Sequence, residues 1–159
     1  MNNIERCYDG HMTKLCDGFV DVQVNGCPGV RFTDPALTEA DARRACDHVL
    51  ATGTAAFLPT VVTHPQATYQ HCLPILAKLI EDPIYQGRIL GLHLEGPFLS
   101  PKPGAVGAHN PDYCQTAELS SLHNMQEWAN GHIRLLTVAP DLENVDELCR
   151  GAVEMGICV

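Results

Sequence analysis

Positive charge is scarce in this chain: 10 lysines and arginines stand against 19 aspartates and glutamates, for a net charge of −9. Phosphate backbones and anionic membranes are bound through clustered cations, so neither nucleic acid nor a membrane surface is an expected partner. The chain has no apolar run of 18 residues, and its first residues lack the apolar centre of a secretory signal; a soluble, cytoplasmic protein is expected. Among eight cysteines there is no Cys-x-x-Cys spacing, so reduced and mostly buried thiols are expected rather than a disulfide framework or a zinc knuckle. What the 159 residues do carry is 45% hydrophobic content, enough to bury one core, and length for one domain.

The most informative stretch runs from Gly91 to Asn110, GLHLEGPFLSPKPGAVGAHN. Leu92 and Leu94 alternate with His93 and Glu95, so a strand would put the imidazole and the carboxylate on one face. Gly96-Pro97 stops that strand, and a glycine- and proline-rich loop to about Cys114 carries His109. Loops of that length inside a domain are uncommon and usually functional. A lone His-x-Glu reads as a salt-bridged acid and a core histidine. Here the strand, its polar face and the loop together favour a metal ligand and a substrate contact at the exit of a buried strand.

The remaining elements repeat one unit. Residues 1–17 show no periodicity and form an irregular lead-in; residues 18–159 form the domain. Val20, Val22 and Val24 alternate with Asp21, Gln23 and Asn25 as a first strand, with the polar residues on one face. A helix follows, capped by Thr38 with Asp41 as its partner, striped by Ala42, Ala45, Cys46, Val49 and Leu50, and stopped by Gly53. Ala55 to Thr60 is a short apolar strand. Pro65 opens the next helix, with Cys72, Leu73, Leu76, Leu79 and Ile80 inward, and Pro74 should kink or break it. A strand over Arg88–Glu95, a helix over Thr116–Asn130, a strand over Ile133–Val138 and a helix over Asn144–Met155 follow. That last helix turns Val145, Leu148, Cys149, Ala152 and Val153 to one side, and Ile157–Val159 starts a fifth strand. Four βα units imply parallel strands, so the fold class is α/β: a partial (β/α)8 TIM barrel of about four units and the start of a fifth strand.

Three segments carry a family resemblance: Gly18 to Phe32 (GFVDVQVNGCPGVRF), HLEGPFL with GAHNP, and Thr137 to Asp141 (TVAPD). In order and spacing they resemble the N-acetylglucosamine-6-phosphate deacetylases of the amidohydrolase superfamily. The resemblance implies a hydrolase in amino-sugar catabolism, which cleaves the acetamide of N-acetylglucosamine 6-phosphate to glucosamine 6-phosphate and acetate. It implies a small-molecule sugar phosphate as partner and one divalent metal ion, zinc by preference. Glu95 would be the metal ligand, and His109 with Ala108 would meet the substrate. Gln23 and Asn25 occupy the places where many amidohydrolases have a His-x-His pair, so a single metal is expected. Whether those two amides touch substrate or only hydrogen-bond inside the barrel stays open. His93 would support the site from behind or serve structure alone. His123 and His132 read as surface residues, and Asp141 as a helix cap.

The resemblance also implies what is not here. Two histidine ligands, the catalytic aspartate and the main phosphate contacts would lie beyond residue 159, so no catalytic residue is expected in this chain. The family's β-sandwich has no counterpart, and Asp17 stands where Pro is usual. Zinc takes about three protein ligands and a water. A truncated fragment with little activity alone is therefore the expectation. The alternative is a non-catalytic half-barrel acting as a binding or assembly module, through a homodimer or a separate second half. Another amidohydrolase, such as a dihydroorotase or a deaminase, fits less well, since those use His-x-His and lack HLEGPF.

Overall fold

In a computed structural model, residues 5–8, 11–14 and 18–159 are described. Glu5–Tyr8 (β1) pairs antiparallel with His11–Lys14 (β2), a hairpin inside the lead-in that no periodicity announced. The main sheet has four parallel strands in the order Phe19–Val24 (β3), Thr54–Val62 (β6), Leu92–Glu95 (β7) and Ile133–Thr137 (β8). Between β3 and the first helix a two-residue hairpin forms, Gly26–Cys27 (β4) against Val30–Arg31 (β5). The helices are Glu39–Ala51 (α1), Gln66–Glu81 (α2), Leu119–Trp128 (α3) and Val145–Glu154 (α4). The arrangement is an open α/β sheet of parallel strands; no closed barrel forms among the described residues.

One face of the sheet packs on the helices. Phe57 and Val61 of β6, with Leu92 and Leu94 of β7, are fully buried against a helix layer that includes Ala45, Cys46, Leu73, Leu76, Leu122 and Leu148. Each buried Phe, Leu or Val among them contributes roughly 1.5–3 kcal/mol through water exclusion, which makes this layer the main cohesive element. The other face carries Gln23, Thr60, His93, Glu95 and Thr137, joined by hydrogen bonds.

The first helix starts as its sequence requires. The Thr38 hydroxyl accepts from the Asp41 N–H at 3.1 Å and donates to the Asp41 carboxylate at 2.7 Å. Arg43 of α1 then pairs with Asp82 at 2.9 Å, beyond the end of α2. Asp82 also accepts from the Ile84 N–H at the start of the 3-10 turn Pro83–Tyr85. That N–H, and after it the Arg43 guanidinium, hold the Asp82 carboxyl below its ordinary value of 3.8. A depressed carboxyl adds stability at pH values above the ordinary one, and that contribution disappears as pH falls through the folded value. Asp82→Asn is therefore expected to lower the urea midpoint at pH 7 and to lower it less at pH 3; an equal gap at both would contradict the linkage.

The helix α2 runs unbroken for 16 residues through Pro74, where the sequence predicts a kink or break. Thr68, Tyr69, Cys72, Leu73, Leu76, Ala77 and Leu79 are all buried along it, and that packing outweighs the one lost backbone hydrogen bond. Pro74→Ala restores an N–H for the Gln70 carbonyl, so a stabilisation of about 1–2 kcal/mol is expected after the entropy lost from the unfolded chain is restored. A urea midpoint that stays level or falls would mean that the proline ring is itself needed for packing.

Three further differences have physical causes. β3 lies at the sheet edge, and its register against β6 shifts twice, between Phe19 and Val20 and between Asp21 and Val24. The period of two is therefore lost: Val24 is buried, while Val20 and Val22 are 57% and 51% exposed. β7 begins at Leu92 rather than Arg88, because Gly91 (φ +143°) interrupts it; Ile89 still bridges Phe57. On α4, Val153 points outward at 64% exposure, and Gly151 takes the inward place, since a Cβ there would meet the Leu119 side chain at 2.3 Å. The predicted fifth strand makes one parallel bridge, Leu135 to Cys158, with Leu136 N–H donating to the Cys158 carbonyl at 2.8 Å.

Candidate functional site

The polar residues gather where β3, β6, β7 and β8 end. Period two along β7 turns His93 and Glu95 away from the helix layer that buries Leu92 and Leu94. The loop after β7 returns to that strand end and brings His109 Nε2 to 3.4 Å from Glu95 Oε1. Gln23, from β3, donates its amide to Glu95 Oε2 at 2.8 Å. The two carboxylate oxygens thus face an imidazole and an amide that lie 14 and 72 positions away in the chain, and the His109 contact is too long for a strong hydrogen bond.

Glu95 is held from its backbone as well. Thr63 donates its hydroxyl to the Glu95 carbonyl at 3.1 Å, and Val62 and Thr137 are its partners across the two neighbouring strands. Next, Gly96 (φ +86°) turns the chain; a Cβ there would meet the Thr63 oxygen at 2.2 Å, so only glycine lets the two strand ends approach.

His93 is 3% exposed, between Thr60 (Nδ1, 3.3 Å) and Thr137 (Nε2, 2.8 Å). Burial pushes its imidazole below the ordinary value, against the opposing pull of the Glu95 carboxylate. A neutral ring with both nitrogens occupied by threonine hydroxyls is a packing and hydrogen-bonding element beneath the carboxylate. Asn25 is exposed and makes no hydrogen bond to Glu95; it lines a cavity of about 200 Å³ with Arg31, Thr33, Val62 and His64. Ala108 is exposed beside His109.

The helix-cap reading of Asp141 gives way: α4 is preceded by Asn144, and Asp141 instead accepts from Ser100 at 3.0 Å and Lys102 at 2.7 Å. Nor is His132 a plain surface residue, since it contacts Glu81 at 2.9 Å. Thr60, Thr63, Thr137 and His64 were not singled out from the sequence. The first three look like ordinary strand residues, and only their level with His93 and Glu95 across the sheet reveals them. His64 had a legible signal, being two residues past a buried strand; its ring lies 5.6 Å from that of Tyr113, on the His109 loop.

As a donor set for a cation, this cluster offers one carboxylate, one imidazole and a neutral amide oxygen. Among the described residues no three His, Cys, Asp or Glu side chains converge. The cluster fits part of a divalent-metal site and not the whole of one, since zinc takes about three protein ligands. No helix among the described residues is long and apolar enough to cross a membrane.

No family model matches the chain. Individual proteins do. N-acetylglucosamine-6-phosphate deacetylase from Bos taurus is 34% identical over 152 residues, covering 91% of this chain and 36% of the bovine protein. The Homo sapiens enzyme of the same name gives the same identity and coverage. The crystal structure of N-acetyl-D-glucosamine-6-phosphate deacetylase from Mycobacterium smegmatis superposes with a TM-score of 0.76 at 26% identity, covering 88% of this chain and 35% of that one. A variant of that mycobacterial protein has been solved with N-acetyl-D-glucosamine-6-phosphate bound and superposes equally well. These relatives are hydrolases by name, and their α/β fold is the one seen here. The chain spans only about a third of the length of the curated relatives that it matches. Aligned over nine tenths of its own length at 34% identity, and sharing the α/β fold, this chain is a homologue of the N-acetylglucosamine-6-phosphate deacetylases.

Proposed function

We propose that this chain supplies one wall of an N-acetylglucosamine-6-phosphate deacetylase site, within half of an eight-stranded barrel. The observation that carries the proposal is the contact of Glu95 with His109 at the end of a parallel sheet, in a homologue of those enzymes. Glu95 would be the one ligand that this chain gives to a divalent metal, zinc by preference, since carboxylate oxygens are among zinc's ordinary ligands. A bound metal of this kind supplies an activated water and polarises the amide carbonyl. Gln23 holds the carboxylate in one rotamer, and Thr63 holds its backbone. His109 would contact the sugar near its acetamide, and the exposed Gly107-Ala108 backbone lets the substrate approach closely. His93 stays neutral under Glu95 and adds no competing cation.

One carboxylate and one imidazole do not complete such a site, so the chain by itself is expected to release little acetate. The test is reconstitution. The chain is co-expressed with the part of the bovine relative that it does not match, and acetate release from N-acetylglucosamine 6-phosphate is followed together with bound metal. Acetate release with about one metal per complex supports the proposal. A co-eluting complex that binds metal and releases no acetate would refute it. A second reading, an assembly module without catalysis, is favoured by the β3 edge, where Phe19 is 75% exposed beside Val20 and Val22. A stable homodimer that excludes the bovine segment would support that reading instead.

A further inference from the structure

The loop that carries His109 is tied to the next loop of the sheet by a side-chain cluster outside the Glu95 site. Asp141, four residues past β8, accepts from Lys102 Nζ at 2.7 Å and from Ser100 Oγ at 3.0 Å through the same oxygen, Oδ2. Lys102 donation, followed by that of Ser100, holds the carboxyl below its ordinary value. Ser100 is 3% exposed, so one half of this contact is buried under the loop rather than lying on the surface. Close by, the Ala139 N–H donates to the Phe98 carbonyl at 2.9 Å, joining the same two segments through their backbones.

From Lys102 the hydrogen bonds continue to the site. Its carbonyl accepts from the N–H groups of Ala105 and Val106, both at 3.1 Å, and closes a turn. The Val106 carbonyl accepts from the His109 N–H at 3.2 Å, and the His109 ring meets Glu95 at 3.4 Å. We propose that Asp141 is a positioning residue: by latching Lys102 and Ser100 it sets the turn over 102–109 and with it the place of His109 over Glu95. The bearing of this latch on acetate release rests on the deacetylase reading; the latch itself does not. The Lys102 and Asp141 side chains are 70% and 41% exposed, and exposed pairs add little to global stability. The effect of cutting the latch therefore belongs to the loop and not to the whole fold.

The test uses the full 159-residue chain and amide hydrogen exchange read residue by residue. Lys102→Met and Asp141→Asn are each expected to speed exchange at Val106 and His109 by about tenfold, with Leu92 and Leu94 unchanged. The charge swap, Lys102→Asp with Asp141→Lys, is expected to restore protection to within about threefold of the parent. Exchange at Val106 and His109 within about twofold of the parent in both single variants overturns the proposal. So does uniform acceleration across loop and strand in Lys102→Met, which removes only an exposed charge. In the reconstituted complex the single variants should also lower kcat/KM. If no variant and no parent releases acetate, the deacetylase reading has failed while the exchange data still decide the latch.

Discussion

Replacing Glu95 by glutamine is expected to lower acetate release by the reconstituted complex by about three orders of magnitude or more, while the fold stays intact. The substitution keeps the shape of the side chain and an oxygen for the Gln23 amide, which now donates at 2.8 Å. It removes the one negative charge of the cluster. A neutral amide is a poor ligand for zinc beside carboxylate or imidazole, so metal retention should fall in parallel. Metal assistance is worth several kcal/mol of transition-state stabilisation, and each ~1.4 kcal/mol is a factor of ten in rate. Two readouts separate causes. Loss of metal together with loss of rate identifies Glu95 as a ligand, whereas full metal retention with lost rate would move it to a substrate contact. A variant that keeps more than about a tenth of the parent kcat/KM would exclude both roles.

The largest effect on stability is expected from Gly96→Ala, at about 2–5 kcal/mol of destabilisation, from two independent sources. Its φ of +86° lies where an L side chain is strained by about 1–2 kcal/mol. The new Cβ would also stand 2.2 Å from the Thr63 hydroxyl oxygen and 3.1 Å from Leu99 Cγ, and overpacking of this kind costs about 1–3 kcal/mol. Thr63 is 4% exposed and cannot swing away without releasing its hydrogen bond to the Glu95 carbonyl. The damage thus reaches the strand end that presents the carboxylate. Urea unfolding of the full chain measures it, and a change within about 0.5 kcal/mol of the parent would show that the strand ends can part freely.

Much of the fold was legible because local rules and packing agree along most of the chain. Thr38 and Asp41 cap α1 as their spacing requires, and Leu92 and Leu94 face the helices where strand alternation puts them. The misreadings fall where a longer-range term won. Packing of the α2 stripe carried the helix through Pro74, and register shifts against β6 broke the alternation of β3 and left Val20 and Val22 in solvent. Asp141 looked like a helix cap because it precedes a helix, yet Lys102 and Ser100 reach it from some forty positions upstream.

The chain's own order of residues was enough to specify α/β units with parallel strands, to put Glu95 on the polar face of its strand and to mark the kinship with the deacetylases through HLEGPF and GAHNP. Those are properties of neighbours along the backbone, set by side-chain period, capping and turn chemistry. The partners of the carboxylate are not. Gln23 comes from 72 positions away and His109 from across a long loop, and His93 acquires its two threonines from strands on either side. Contacts of that kind exist only once sheet order and register are set, because their closure entropy is met by the burial of the whole helix-facing layer and not by any local preference.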